Sequence, residues 1–293
     1  MSGNGGSIVM ADPGHYEVCY SINPWMRPDA WGRDAAPLRD RARREWSALA
    51  EALRGAGLAV EVVPAVPGLP DMVFPANAAV VLDRVALLAR FRHRERRGEE
   101  PHFHAFFHSL VKRGVLDAIE LLPEGVFQEG AGDCLWDASR QVFWAAHGPR
   151  SSLDSHRHIA RTFGRKVVSL ELVTERFYHL DTCFCVLPGG ELLYYPPALS
   201  PDSQALVEAL VPSPQRLAAT ADEAAAFSLN AVALGRDLVM TAPPESLRRR
   251  LERLGYRCRP VELSSFLLSG GAAYCMTLRL DLKSAAAARK AAE

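Results

Sequence analysis

One pattern constrains this chain more than any other: a hairpin of two short strands, then a helix, then a further strand, repeated along its length. The units read as a hairpin over 78–91, a helix near 101–113 and a strand near 115–122; then 133–146, 151–163 and 166–172; then 183–195, 201–210 and 214–218; then 231–241, 244–254 and 257–263. Before them come a period-two run over 16–22, a helix over 37–55 and a strand over 58–63. Leu38, Ala42, Trp46, Leu49, Ala50 and Leu53 give that helix one apolar face, and Gly55 and Gly57 close it. Four full units and the opening strand–helix–strand make five. A unit of about fifty residues that cannot bury its own sheet face alone predicts modules packed around a common axis. Alternating strands and helices would also suit a doubly wound sheet. The tight turns at Asp83-Arg84, Gly189-Gly190 and Gly235-Arg236-Asp237 argue against an all-parallel one. The expected organisation is a disordered, Gly-rich lead over 1–14, one α/β domain over 15–283 and a tail over 284–293.

With 293 residues, 48% of them hydrophobic, the chain can bury a large core. Lysine plus arginine equals aspartate plus glutamate at 34 each, so no net field draws in nucleic acid or an anionic membrane surface. No apolar run approaches the roughly 20 residues of a membrane span, and the start lacks a basic segment followed by an apolar one. A cytoplasmic protein is expected. Cys19, Cys134, Cys183, Cys185, Cys258 and Cys275 form no CxxC pair and read as reduced thiols, with neither a disulfide framework nor a structural zinc.

The unusual polar residues gather where one unit joins the next. They are Asp71 to Asn77, Phe127 to Asp133, Phe177 to Cys183, Phe227-Ser228-Leu229-Asn230, and the Cys275 loop; Asn23 lies in the loop after the opening run. In a closed ring such equivalent segments converge at one end of the axis, which places carboxylates, an imidazole and a thiol around one cavity. Cys275 follows a Ser-Gly-Gly turn where a loop becomes an alternating run, and a thiol fixed there can serve as a nucleophile if a base reaches it. Each residue also has a plainer reading: Cys275 as a small core residue, Glu129 and Asp133 as partners of a Gly-flanked turn, His179-Leu180-Asp181 as a turn feature. Their corresponding positions in different repeats favour a shared site.

The segments EGAGD (129–133), HLDTCF (179–184) and GGAAYCMTL (270–278), with INPWM and DMVFPANA, resemble the guanidino-group-modifying enzymes of the pentein fold, and the resemblance runs from about residue 15 to 282. That superfamily includes arginine deiminases, amidinotransferases, dimethylarginine dimethylaminohydrolases and arginine dihydrolases. The resemblance implies a five-bladed α/β propeller with Cys275, His179 and Glu129 as catalytic groups and no cofactor. It also implies that Asp181 pairs with the substrate, that Arg90 and Arg150 hold an amino acid's carboxylate, and that Asn23, Asp71, Asn77 and Asn230 contribute to substrate binding. The chemistry asks for the same residue types. A guanidinium carbon is a poor electrophile until its charge is held and a leaving nitrogen is protonated, so carboxylates and an acid–base imidazole are needed beside the thiol.

Where deiminases and dimethylarginine hydrolases present an aspartate, this chain has Asn77, and with Asn23 it resembles the arginine dihydrolases, which convert arginine to ornithine, ammonia and carbon dioxide. A neutral ureido intermediate offers an oxygen that wants a donor, which an amide supplies. The alternatives are a dimethylargininase or a deiminase that stops at citrulline. From another class, a non-enzymatic pentein that binds ribosomes would not need those groups at the junctions. Some dihydrolases carry a further C-terminal domain; this chain ends soon after Cys275, so a second activity on the same polypeptide is not expected. His102, His104 and His108 put two imidazoles at i, i+4, yet Phe103, Phe106 and Phe107 favour an amphipathic helix over a metal site. The expected partner is a small-molecule substrate, with no metal, nucleic acid or membrane, and a homo-oligomer is compatible with the pattern.

Overall fold

The computed structural model describes residues 6–290. Strand β1 (Ser7–Ala11) lies parallel to β2 (Ala59–Val63), with the helix Ala35–Gly55 between them in sequence. Next come β3 (Ala79–Leu82), β4 (Val85–Leu88) and β5 (Ala118–Glu120), then β6 (Cys134–Asp137), β7 (Val142–His147) and β8 (Lys166–Glu171). The next two units are β9 (Phe184–Val186), β10 (Leu192–Tyr194), β11 (Arg216–Ala218) and β12 (Val232–Leu234), β13 (Asp237–Met240), β14 (Arg257–Pro260). In each unit the first strand runs antiparallel to the second and the second parallel to the third. Helices Glu100–Lys112, Ser155–Phe163, Pro201–Leu210 and Glu245–Arg253 make the crossovers. The fifth sheet follows the same rule in the order β15-β1-β2, because β15 (Leu278–Arg279) supplies the antiparallel strand that the opening unit lacks. Five three-stranded sheets thus form the five-bladed α/β propeller. Pairing Ile8 with Arg279 and Val9 with Leu278 closes the ring.

Three expectations change. The lead over 1–14 contains β1: Ile8, Val9, Met10 and Ala11 are buried, a continuous apolar run that suits a strand covered on both faces. The ring therefore starts at Ser7 rather than near residue 15, and residues 1–5 lie outside the described residues. The run over 16–22 alternates because Tyr16 and Val18 face the core, but among the described residues it pairs with no strand. Tyr16 instead donates to Ser265 O at 2.9 Å and stacks on Phe266. Cys275 sits within a turn, with Met276 N bonded to Ala272 O at 3.0 Å, and the strand begins only at Leu278. In the tail, Ser284 is tied to Asp83 through its amide (2.7 Å) and hydroxyl (2.6 Å) ahead of the helix Ala285–Lys290. Among the described residues no helix is long and apolar enough to cross a membrane.

Leu49, Ala50 and Leu53 of the first long helix are fully buried, packed in one cluster with Ile8, Met10 and Phe266. Leu49→Ala should cost about 2–5 kcal/mol, lowering the urea midpoint with the slope unchanged. A loss below roughly 1 kcal/mol would show that this helix does not seal the closing blade.

Candidate active site

The polar junction residues occupy one recurring position: each precedes the first strand of its sheet. Asn77 lies in the turn Pro75–Ala78 before β3, Glu129 and Asp133 flank the turn Gly130–Gly132 before β6, and His179 and Asp181 bracket the start of Leu180–Thr182 before β9. Asn230 precedes β12 and Cys275 precedes β15. Glycine is required twice here. Gly130 has φ +62°, and a Cβ on Gly132 would collide with the Asn77 amide, so the turns of neighbouring blades approach only without side chains.

Glu129 and His179 form the first buried pair. Glu129 Oε2 lies 2.8 Å from His179 Nε2 and accepts from Arg150 Nη1 at 3.0 Å, while Oε1 accepts from Arg92 N at 3.2 Å. All three side chains are within 2% of full burial. Burial alone would raise the Glu129 carboxyl, but Arg150 and the His179 hydrogen bond hold it well below the usual range. Burial lowers His179 to about 4 despite Glu129, so at neutral pH the imidazole is uncharged. With Nε2–H donated to the carboxylate, Nδ1 is the free base, facing Asn77 Nδ2 at 3.5 Å.

Cys275 belongs to a second group. Its Sγ lies 3.0 Å from Asp181 Oδ2 and accepts from Asn230 Nδ2 at 3.0 Å. Asn230 Oδ1 in turn accepts from the amides of Tyr274 (3.0 Å) and Cys275 (3.1 Å). Burial and then Asp181 push the thiol well above its usual value, and burial brings Asp181 up to about 7. Among the described residues Asp181 Oδ1 has no hydrogen-bond partner. His179 and Cys275 are not hydrogen-bonded to one another. The resting nucleophile is a neutral thiol beside an unsatisfied carboxylate oxygen.

Asn77 is oriented from behind. Its Oδ1 accepts from Arg96 Nη1 at 2.7 Å, which turns Nδ2 towards His179 and Glu129 O, each at 3.5 Å. Arg96 is itself buried, paired with Glu99 at 2.9 and 2.8 Å and bonded to Asp71 O at 3.0 Å. The buried Asp71 carboxyl is raised by burial against the pull of Arg96, and among the described residues its Oδ1 has no hydrogen-bond partner.

Of the expected residues, Cys275, His179, Glu129, Asp181, Asn77, Asp71 and Arg150 all fall in or beside this buried cluster. Asn230 contacts the nucleophile, and both ends of its amide are taken by Cys275, Tyr274 and Asp181. Asn23 pins its loop to Ser269 O at 3.0 Å and accepts from Trp25 N at 2.9 Å. Arg90 lies outside: its backbone bridges to Gln128 and its guanidinium bonds Leu122 O at 3.3 Å, beside a separate cavity. Two residues in the same charged run, Arg92 and Arg96, reach the cluster instead. Nothing in RFRHRERRGEE marks which arginines turn inward, apart from the i, i+3 spacing of Arg96 and Glu99. A cavity of about 500 Å³ lined by Asn23, Arg92, His93, Arg150, Glu175 and Tyr178 leads to the Arg150 side of the cluster. The histidine run lies elsewhere, on the helix Glu100–Lys112, where His104 and His108 meet edge to face. Among the described residues no group of three or more His, Cys, Asp or Glu is placed to hold a metal.

The neutral His179 has a pH signature. Unfolded, it binds a proton near its ordinary 6.5, and folded only near 4, so protons favour the unfolded chain as pH falls through that interval. Asp181 and Glu99, each raised to about 7, act with the opposite sign, so a variant comparison is needed. Relative to His179→Gln, wild type should lose up to about 3 kcal/mol of unfolding free energy between pH 6.5 and 4. A pH-independent difference in urea melts would mean the imidazole is not held neutral.

Comparison with known proteins fits this geometry. A family model described as N,N dimethylarginine dimethylhydrolase, eukaryotic, matches residues 20–282. The bifunctional arginine dihydrolase/ornithine cyclodeaminase ArgZ of Synechocystis sp. is 42% identical over 93% of this chain, which spans only 37% of that relative's length. The N(G),N(G)-dimethylarginine dimethylaminohydrolase of Mycobacterium tuberculosis is 35% identical over 93% of this chain and 85% of its own. A crystal structure of a substrate-bound variant of the N-terminal domain of ArgZ superposes with a TM-score of 0.87 at 40% identity, covering 95% of this chain and 99% of that one. The chain belongs to the dimethylarginine dimethylhydrolase family, and with it to the guanidino-modifying hydrolases of the pentein fold.

Proposed function

We propose that this chain hydrolyses the guanidino group of arginine through a covalent Cys275 intermediate and carries the product on, through a ureido stage, to ornithine, ammonia and carbon dioxide. The observation that carries the reading is the direction of the Asn77 amide. Arg96 occupies its oxygen, so the NH2 end faces the cleft beside His179 as a donor.

A guanidinium entering between Cys275 and Asp181 finds the unpartnered Asp181 Oδ1 for its N–H groups. Its positive charge beside the sulfur favours the thiolate. His179 Nδ1, unprotonated at rest, takes the thiol proton. Sγ bonds to the guanidinium carbon, the proton passes from His179 to one nitrogen, and that C–N bond breaks to release ammonia and leave a thiouronium. Water, deprotonated by His179, then attacks the carbon, and the C–S bond breaks to give citrulline. In a second round Asn77 donates to the ureido oxygen, Cys275 displaces ammonia again, and hydrolysis of the thiocarbamate leaves a carbamate that falls apart to ornithine and carbon dioxide. One arginine and two waters balance one ornithine, two ammonia and one carbon dioxide. Glu129, kept ionised by Arg150, orients His179 and stabilises its transient charge. Arg92 and Arg150 would face the carboxylate of the amino-acid end in the 500 Å³ cavity, and Glu175 its ammonium.

The arginine dihydrolase name and the bound substrate of the cyanobacterial relatives support arginine. The mycobacterial relative supports a second reading, release of an alkylamine from methylated arginine. Mass analysis of products from arginine, citrulline and dimethylarginine separates them. Wild type should give ornithine and two ammonia per arginine. Asn77→Asp should stop at citrulline and one ammonia, because an acceptor facing the ureido oxygen costs about 1–3 kcal/mol, roughly ten- to a hundredfold in the second step. Cys275→Ser should lose far more than about tenfold of turnover. Citrulline as the wild-type end product, or alkylamine without attack on arginine, would overturn the dihydrolase reading.

A further inference from the structure

Asp133 is a buried carboxyl that the chemistry above does not use. It is 2% exposed and, among the described residues, pairs with no lysine or arginine. A carboxylate left in that state is costly unless its hydrogen bonds are placed with care. Its Oδ1 accepts from Leu180 N at 3.1 Å, the peptide that follows His179. Its Oδ2 accepts from Ser151 Oγ at 2.6 Å, and the same Ser151 oxygen accepts from Glu129 N at 3.0 Å. One carboxyl therefore spans the main chain at both members of the Glu129–His179 pair, which belong to different blades. Asp133 is itself a fixed post: its amide bonds Gly130 O at 3.2 Å, and its carbonyl accepts from Ala146 of β7 at 2.8 Å. Asn77 Nδ2 also reaches both loops, at Glu129 O and His179 Nδ1, each at 3.5 Å, and Asp133 holds them by the shorter contacts.

We propose that Asp133, acting through Ser151 and the Leu180 amide, is a positioning residue that sets the distance and angle of the Glu129–His179 hydrogen bond. It does not touch substrate. The proposal rests on Glu129 and His179 being the acid–base pair, but not on which guanidino compound is attacked. Removing Asp133 frees the Leu180 amide and the Ser151 hydroxyl together, so His179 loses its fixed approach to the reacting nitrogen, while Cys275 and Asn230 keep theirs and Asp181 stays tied to both. Proton transfer should suffer and substrate capture should not.

The test measures kcat and KM for Asp133→Ala, Asp133→Asn and Ser151→Ala, together with the low-field proton signal of His179 Nε2–H, assigned by its absence in His179→Gln. Asp133→Ala should lose about ten- to a hundredfold in kcat with KM within about threefold, and its low-field signal should move upfield or vanish. Asp133→Asn should restore both to within about threefold, because an amide oxygen still accepts from Leu180 and its NH2 still bonds Ser151. Ser151→Ala removes only the arm to Glu129, should fall about tenfold, and carries the test if Asp133→Ala does not fold. Unchanged kcat and an unchanged signal in folded Asp133→Ala or Ser151→Ala would reduce Asp133 to a turn residue and overturn the proposal. Equal losses in the alanine and asparagine variants would overturn it too, since charge rather than geometry would then matter. If wild type turned over no guanidino substrate, the functional reading would fail while the proton signal still decided the positioning.

Discussion

The site depends on one buried hydrogen bond, His179 Nε2 to Glu129 Oε2, with Arg150 on the same carboxylate oxygen. Three nearly buried ionisable groups can share that space only if their charges settle: the guanidinium keeps the carboxylate ionised, and desolvation keeps the imidazole neutral. The pairing fixes the tautomer, which leaves Nδ1 as the unprotonated ring nitrogen, turned toward Asn77. A protonated imidazole at rest would have no lone pair to take the thiol's proton. A loose one would not meet the leaving nitrogen.

The nucleophile is held by a separate apparatus. Asn230 grips the Cys275 main chain with one end of its amide and the sulfur with the other, and Asp181 waits with one oxygen unsatisfied. Cys275 and His179 sit on different blades, so their alignment is a property of ring closure. Cys275 precedes β15, which reaches its place only by pairing with β1 near the opposite end of the chain. The glycines before it serve the same end: Gly270 turns with φ +78° against Trp25, and Gly271 lets the backbone lie on the ring of Phe74.

The hairpin–helix–strand repeat was legible because most of its strands alternate or run apolar and tight turns mark three of the four hairpins. The helix over 201–210 is where the periodicity puts it. Strand β1 was hidden because five apolar and small residues behind a Gly-rich start carry no alternation, and its partner lies some 270 residues away in sequence. The run over 16–22 misled for the converse reason: one face is buried without any ladder to join. Cys275, His179, Glu129, Asp181 and Asn77 were legible from their equivalent junctions. Arg96 was not, since a buried guanidinium and a solvated one look alike in a charged run, and only the fold turns Arg96 inward and Arg90 away. Asp133 stood in view beside Glu129, but its two partners come from other loops.

The central claim is that a thiol on one blade and a neutral imidazole on another meet across a guanidinium. Its most direct measurement is intact-protein and peptide mass analysis of enzyme acid-quenched during turnover of arginine. The account predicts an adduct heavier by arginine less one ammonia, located on Cys275, both in wild type and in Asn77→Asp, whose first step is intact. Turnover with no such adduct in either protein, or an adduct on any other residue, would contradict it.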